Sequence, residues 1–488
     1  MTKEQEGLRY RRTQSVTRAE EIKAFNIKVR YSQPDKPCHK PRDSLFSWSS
    51  KFNNFTGFIN WAFLLLSIGS VRLLLENFIK YGIRIDPLQW IYVITGFNDG
   101  GSGHPAVALI LYSFVPITTC LMVEKGLAVK IISNIAGMIT HIINLVVLIL
   151  LPMIVIHVKE GFNLVGASVV TSYYTVLFLK MWSYIQVNLW CRTAHQRKNS
   201  MRRSSISFTT LLKSSENTTD TSSEVLGKQE KEIVQYPDNL NFRDMFYFLC
   251  APTLCYELNF PRTGRIRKRF LMKRIFEVVA GTQIILCLIQ QYIIPSIINS
   301  LIPFSNMDIT QTTERLLKLA IPNHLTWLIF FYITFHSYFN LIGELLQFGD
   351  RNFYSDWWNA NNIDTFWRSW NLPVHRWALR HLYLPIVEMG FSKTMGFLSV
   401  FFISAFFHEY MVSVPLKTYK IWAFTGMMGQ LPLSTFANYV EKRFGPRWGN
   451  IIVWSSLILG QPLCIMMYYH DYVVTHYGES LLEEYGRL

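Results

Sequence analysis

An all-α bundle of about nine membrane-spanning helices is the fold class the sequence predicts, and three observations predict it. Half of the 488 residues are hydrophobic and only 17% are charged, too apolar a balance for a soluble enzyme of that length. Apolar runs of about 18–20 residues recur, each able to cross the hydrocarbon core as a helix. Lysine and arginine gather in alternate connections between those runs, the pattern of a chain that crosses a membrane repeatedly. Length alone would suggest about three soluble domains, but the apolar runs overrule that prior.

The elements follow in order. Residues 1–50 form a polar, basic tail beginning "MTKEQEGLRYRRTQSVTRAEE". It lacks an apolar core segment, so it does not read as a cleaved signal peptide, and its composition predicts disorder. Its cations can also meet acidic lipid head groups. Residues 51–488 read as one membrane domain, with spans expected at 58–76, 106–123, 131–158, 164–186, 276–301, 324–346, 395–415, 420–440 and 451–475. Seven cysteines at irregular spacing give no disulfide framework and no paired-cysteine metal pattern.

Orientation comes from the basic residues. The tail, Lys125 and Lys130, the segment Arg192–Arg274, the set Arg351, Arg368, Arg376, Arg380 and Lys393, and the set Lys442, Arg443 and Arg447 all fall on one side. That side is the cytosol, which leaves the C-terminus in the lumen. The sequons at Asn54 and Asn217 then face the cytosol. The formal charge of +15 is accounted for as a topology signal and calls for no nucleic acid. Within the longest cytosolic connection, residues of about 195–235 are rich in Ser and Thr and read as a disordered linker. The next stretch, "YPDNLNFRDMFYFLCAPTLCYELNFPR", is aromatic but too interrupted to span. "RIRKRFLMKR", at 265–274, suits an amphipathic helix on an anionic leaflet, although snorkelling basic residues at the start of a span explain much of it.

One span holds an anomaly. "FFISAFFHEYMVSVP", at 401–415, places His408 and Glu409 inside an apolar run, with His408 roughly 20 Å along from Met395. Ionisable groups within a span are costly and usually face a cavity or each other. A structural histidine bonded to a neighbouring helix is the plain alternative. Other polar residues point to a chamber inside the bundle: His336, Asn340 and Glu344 at i, i+4, i+8, together with Gln430 and Gln461. A structural hydrogen-bond network competes for the first three. Before that span, "FYSDWWNANNIDTFWRSWNLPVHRW" interleaves aromatics with Asp356, Asn359, Asn371 and His375, more polar than an aromatic belt requires. A neutral imidazole in a dry chamber is a competent general base for a hydroxyl, and an adjacent amide can steady an oxyanion. No zinc-binding motif and no nucleophile elbow is present, so no metal is expected.

Two blocks carry a family resemblance. "FYSDWWN", at 353–359, resembles the signature of the sterol and diacylglycerol branch of the membrane-bound O-acyltransferases, and "SAFFHEY", at 404–410, resembles the block around that family's catalytic histidine. "YPDNL", "TLCYELNFPR", "WNLPVH" and "WAFTGMMGQLPL" are similar to the diacylglycerol branch, and the likeness covers about 50–488 apart from the linker. The resemblance implies an endoplasmic-reticulum enzyme with nine spans around a polar intramembrane chamber, working as a homodimer or homotetramer. It implies transfer of a fatty acyl group from acyl-CoA, a co-substrate and not a cofactor, to the free hydroxyl of 1,2-diacylglycerol.

By resemblance, His408 is the catalytic residue and Asn371 its partner across the chamber. The signature residues Phe353, Tyr354, Asp356, Trp357, Trp358 and Asn359, with Trp367, Arg368, Ser369, Trp370, Leu372, Pro373, Val374, His375 and Tyr383, are implied to help bind acyl-CoA near the cytosolic face. Glu409, Met428, Gln430 and Gln461 are implied as chamber positions. Acyl transfer to another lipid alcohol (a sterol, retinol, a wax alcohol or monoacylglycerol) stays open, since acceptor choice is a matter of chamber shape. A transporter with a midplane polar site is the alternative of a different class, although no inverted repeat is visible.

Overall fold

Six helices begin where the sequence supplies a cap. Ser133, Asn241, Asp308, Asn362, Asn371 and Ser392 each accept a hydrogen bond from the backbone N–H three residues on. Each such cap contributes about 0.5–2 kcal/mol. The computed structural model describes residues 56–88, 90, 105–159, 162–212 and 234–477. The chain divides into two units, Met1–Leu74 and Leu75–Leu488, and the site described below lies in the second.

Thirteen helices organise the description. They are α1 (Thr56–Tyr81), α2 (Pro105–Ala128), α3 (Asn134–Val158), α4 (Leu164–Leu212), α5 (Phe242–Cys250), α6 (Lys268–Ser305), α7 (Ile309–Leu345), α8 (Ile363–Ser369), α9 (Leu372–Ala378), α10 (Lys393–Leu416), α11 (Trp422–Met428), α12 (Gln430–Phe444) and α13 (Pro446–Tyr477). Among the described residues there is no strand, only an isolated bridge between Arg262 and Phe348. Seven helices there are long and apolar enough to cross a membrane: α2, α3, the 164–198 part of α4, α6, α7, α10 and α13.

The expected span at 58–76 falls within helix α1, which is 26 residues long. The run at 420–440 is two helices of 7 and 15 residues that meet at Gly429. Helix α4 also departs from expectation, running to Leu212 into the stretch read as a linker. No proline or glycine occurs between 187 and 212, so polarity alone signalled no stop. The rest of the linker, 213–233, and the tail lie outside the described residues. The basic run at 265–274 is not a separate interfacial helix, because α6 starts at Lys268 and continues into the membrane.

Two cores hold the site in place. Cys120, Leu121, Leu148, Tyr174, Met181 and Tyr184 of α2, α3 and α4 pack with Phe407, Tyr410 and Val414 of α10. Tyr410 donates to the carbonyl of Ile149 at 3.0 Å, so its hydroxyl is satisfied in the apolar interior. Buried Lys180 donates to the carbonyls of Phe248 and Ala251 at 2.8 and 2.7 Å and so closes the C-terminal end of α5. The second core joins Phe331 and Phe335 of α7 to Trp357, Ile363 and Phe366, with Ala437 and Val453 of α12 and α13. Gly449 permits the close approach here, since an added Cβ would lie 1.9 Å from the backbone oxygen of Asn361.

Candidate functional site

Helix α10 carries His408 more than four turns beyond its cap at Ser392, amid apolar packing. The His408 ring is half-buried, and its Nδ1 lies 2.7 Å from the Ser404 carbonyl oxygen. A carbonyl only accepts, so the proton sits on Nδ1 and the lone pair on Nε2. Nε2 has no hydrogen-bond partner among the described residues. Phe401 and Ala405 share this helical face, at i−7 and i−3, and pack with Met427, Met428, Phe424, Leu431 and Trp367. His408 therefore offers an unengaged basic nitrogen beside a wall of methionine and aromatic side chains.

His381 makes an instructive contrast. Its Nε2 lies 2.8 Å from the Ser183 hydroxyl and its Nδ1 2.7 Å from Gln186 Oε1, while Ser183 also accepts the Tyr256 N–H. Both ring nitrogens are used, so His381 is a structural strut between α4 and the helix that follows α9. Burial, and secondarily Arg380, holds its pKa down at about 3. An unfolded histidine takes a proton near 6.5, so the unfolded chain binds it first as pH falls. The stability contributed by the neutral ring is complete above about pH 6.5 and declines as pH drops towards 3. His381→Gln is expected to flatten the dependence of melting temperature on pH below about 6.5, and an unchanged slope would contradict that role.

Asn371 opens α9, its Oδ1 accepting from the Val374 N–H at 3.2 Å. The cap leaves its amide N–H groups free for another partner, and no bond joins Asn371 to His408. Pro373 follows inside the first turn, where a missing N–H costs nothing. Trp367 and Trp370 of and beside α8 pack edge to face at 6.0 Å, and Trp367 reaches the α10 wall. Arg368 and Val374 are exposed, while Ser369, Leu372 and His375 are half-buried. Burial, then Arg368 and Arg376, holds the His375 pKa below the ordinary range. Tyr383 packs on Gly396, where an added Cβ would lie 2.9 Å from its ring. That contact is roughly 18 Å along α10 from His408.

The signature block is largely a scaffold. Phe353 and Trp357 are core residues, Trp357 lying 5.3 Å from Trp327 and 5.0 Å from Phe331. The Tyr354 hydroxyl lies 2.9 Å from His336 Nδ1. Asp356 is exposed and accepts from the Ser355 hydroxyl at 3.0 Å and Asn359 at 3.4 Å, which lowers its pKa. Trp358 is exposed, but its carbonyl accepts from Asn450 at 3.1 Å. The block is pinned to α9 by Leu372 N–H donating to the Phe353 carbonyl at 3.1 Å.

The residues of the sixth-span stripe are engaged in bonds that tie the same scaffold together. His336 lies in a π-helical segment, Tyr332–Tyr338, which breaks the i, i+4, i+8 spacing. Asn340 donates to the carbonyl of His336, and Glu344 is held by Arg267 and Arg351 at 2.9 and 3.0 Å.

Gln461 accepts a long bond from Asn323 at 3.4 Å, joining α13 to α7. Met428 and Gln430 flank the break at Gly429, both half-buried, with Met428 in the α10 wall. Glu409 points away from His408: its carboxylate accepts from Ser413, Tyr468 and the N–H groups of Ile421 and Phe424. Sequence reasoning missed Tyr468, Ser413 and the Phe401–Ala405 wall. Only Ser413, at i+4 from Glu409, carried a local signal.

The profile of MBOAT, the membrane-bound O-acyltransferase family, matches residues 131–470. The chain is similar to diacylglycerol O-acyltransferase 1 of Homo sapiens, 47% identical over 446 residues, covering 91% of this chain and 86% of that one. It is 46% identical to diacylglycerol O-acyltransferase 1 of Bos taurus over 440 residues, 90% and 86% of the two chains. It is 34% identical to diacylglycerol O-acyltransferase 1 of Arabidopsis thaliana over 442 residues, 90% and 78%.

Proposed function

The chain belongs to the membrane-bound O-acyltransferase family, and from that premise we propose that it moves a fatty acyl group from acyl-CoA to the free hydroxyl of 1,2-diacylglycerol, with His408 as general base. It is a multi-pass membrane enzyme that acylates diacylglycerol, like the relatives named above. One observation supports the assignment of the base: His408 Nε2 is unengaged within the membrane while Nδ1–H is fixed on Ser404.

In the proposed step, Nε2 takes the proton from the diacylglycerol hydroxyl as its oxygen attacks the thioester carbon. The new C–O ester bond forms and the C–S bond breaks. The proton passes from His408 to the leaving thiolate, giving free CoA and triacylglycerol. The amide of Asn371, with Gln461 as the other candidate donor, steadies the oxyanion. Exchange of a thioester for an ester is downhill, so the reaction needs no other energy source. Seating the base within the membrane keeps water from the thioester and admits a lipid acceptor.

The same reading places the enzyme in the endoplasmic reticulum, with a cytosolic N-terminus and a lumenal C-terminus, as a homodimer or homotetramer. The basic connections support that orientation, since the CoA head group must stay on the cytosolic side. Release of CoA thiol tests the donor. It should depend on added diacylglycerol and match triacylglycerol mole for mole. Triacylglycerol formed without thiol release would exclude acyl-CoA as donor.

A further inference from the structure

Glu409 stands next to His408 in sequence, yet the two side chains leave the helix about 100° apart. No bond joins them. Each Glu409 oxygen serves one hydroxyl and one backbone N–H. Oε1 accepts from Ser413 and from Ile421 N–H at 3.1 Å. Oε2 accepts from Tyr468 at 2.7 Å and from Phe424 N–H at 2.9 Å. The Tyr468 hydroxyl in turn accepts from Ala423 N–H at 2.9 Å.

These N–H groups open α11, whose own cap residue supplies no side-chain bond. That residue, Ile421, has φ 52, a left-handed conformation that a β-branched side chain rarely adopts. Lys417, at the start of the same turn, also has φ 52. The first-turn donors would otherwise be unpaired. Six and seven residues on from Ile421, Met427 and Met428 meet Phe401 and Ala405, on the face of α10 that carries His408.

We propose that Glu409 is a positioning residue: with Tyr468 it forms a cap from outside α11 and thereby fixes the methionine wall that seats the acyl chain beside His408. The inference rests on the acyl-transfer reading for its kinetic consequence, but the cap itself can be tested without turnover. A carboxylate suits this place because it only accepts. The amide of Glu409→Gln would turn an NH2 group towards one backbone N–H whichever way it flips.

The test compares wild type with Glu409→Gln and Tyr468→Phe, each purified in nanodiscs. Hydrogen exchange of residues 421–428 should rise at least tenfold in Glu409→Gln and by less in Tyr468→Phe. With acyl-CoAs of increasing chain length and diacylglycerol, both variants should show KM for acyl-CoA raised about fivefold or more. Their kcat should fall less than threefold, the pH profile of kcat should be unchanged, and discrimination among chain lengths should weaken. Unchanged exchange in Glu409→Gln would overturn the proposal whatever the activity. A loss of kcat with a shifted pH profile in Glu409→Gln, with Tyr468→Phe like wild type, would overturn it in favour of a catalytic carboxylate. Loss of folding in Glu409→Gln would leave Tyr468→Phe to decide on the same two readouts. Absent transfer in wild type, with the exchange result as expected, would remove the acyl-transfer reading and leave the cap standing.

Discussion

Replacing His408 with alanine is expected to lower acyl transfer by about 10²–10⁴-fold, the usual contribution of a positioned general base. The protein should still insert and assemble, because the ring's hydrogen bonds go only to Ser404 of its own helix, at the carbonyl and, at 3.5 Å, the hydroxyl. The readouts are initial rate in nanodiscs, elution profile and melting temperature. The loss should appear in kcat, with KM for acyl-CoA little changed, since the interaction removed belongs to the transition state. Retained turnover would remove His408 from the mechanism. His381→Gln makes a useful companion, because both of its ring nitrogens are already engaged and it should act on stability instead.

Glu124→Ala is expected to cost about 3–5 kcal/mol of stability, the usual penalty for breaking a buried ion pair from one side. Glu124 is fully buried. One carboxylate oxygen accepts from Arg192 at 2.6 Å, and the other lies 3.0 Å from His141 Nε2. The cluster ties α2, α3 and α4 together. The alanine variant leaves the Arg192 guanidinium without its partner in a nearly closed site. A second change, Arg192→Met on the Glu124→Ala background, should recover part of the loss, because the uncompensated charge is then gone. Thermal unfolding in detergent measures both. A melting temperature for Glu124→Ala within a degree of wild type would contradict the assignment.

How far the sequence reveals this molecule depends on the range of the interaction involved. His408 is legible because an imidazole in an apolar run is anomalous by itself. The capping role of Asn371 has a local signature too, an asparagine with proline two residues on. The sixth-span stripe misleads for a local reason of another kind. A regular α-helix puts His336, Asn340 and Glu344 on one face, but the π-helical segment at 332–338 adds about a residue per turn, and the His336 ring and Glu344 find separate partners in Tyr354 and in Arg267 and Arg351. The break at Gly429 is hidden because averaged apolar character does not register one carbonyl direction. Glu409 is the clearest case of non-local information. Adjacency to His408 suggests shared chemistry, whereas its ligands lie 12, 15 and 59 residues away and meet it only once α10, α11 and α13 have packed.

Acceptor identity is the most direct measurement. Purified protein in nanodiscs would receive radiolabelled oleoyl-CoA with 1,2-diacylglycerol, cholesterol, retinol, hexadecanol or monoacylglycerol, with His408→Ala alongside. Label in triacylglycerol, absent from the variant, is the expected result. Label confined to a sterol or wax ester would keep the chemistry and contradict the acceptor, and no label in any ester would contradict acyl transfer itself.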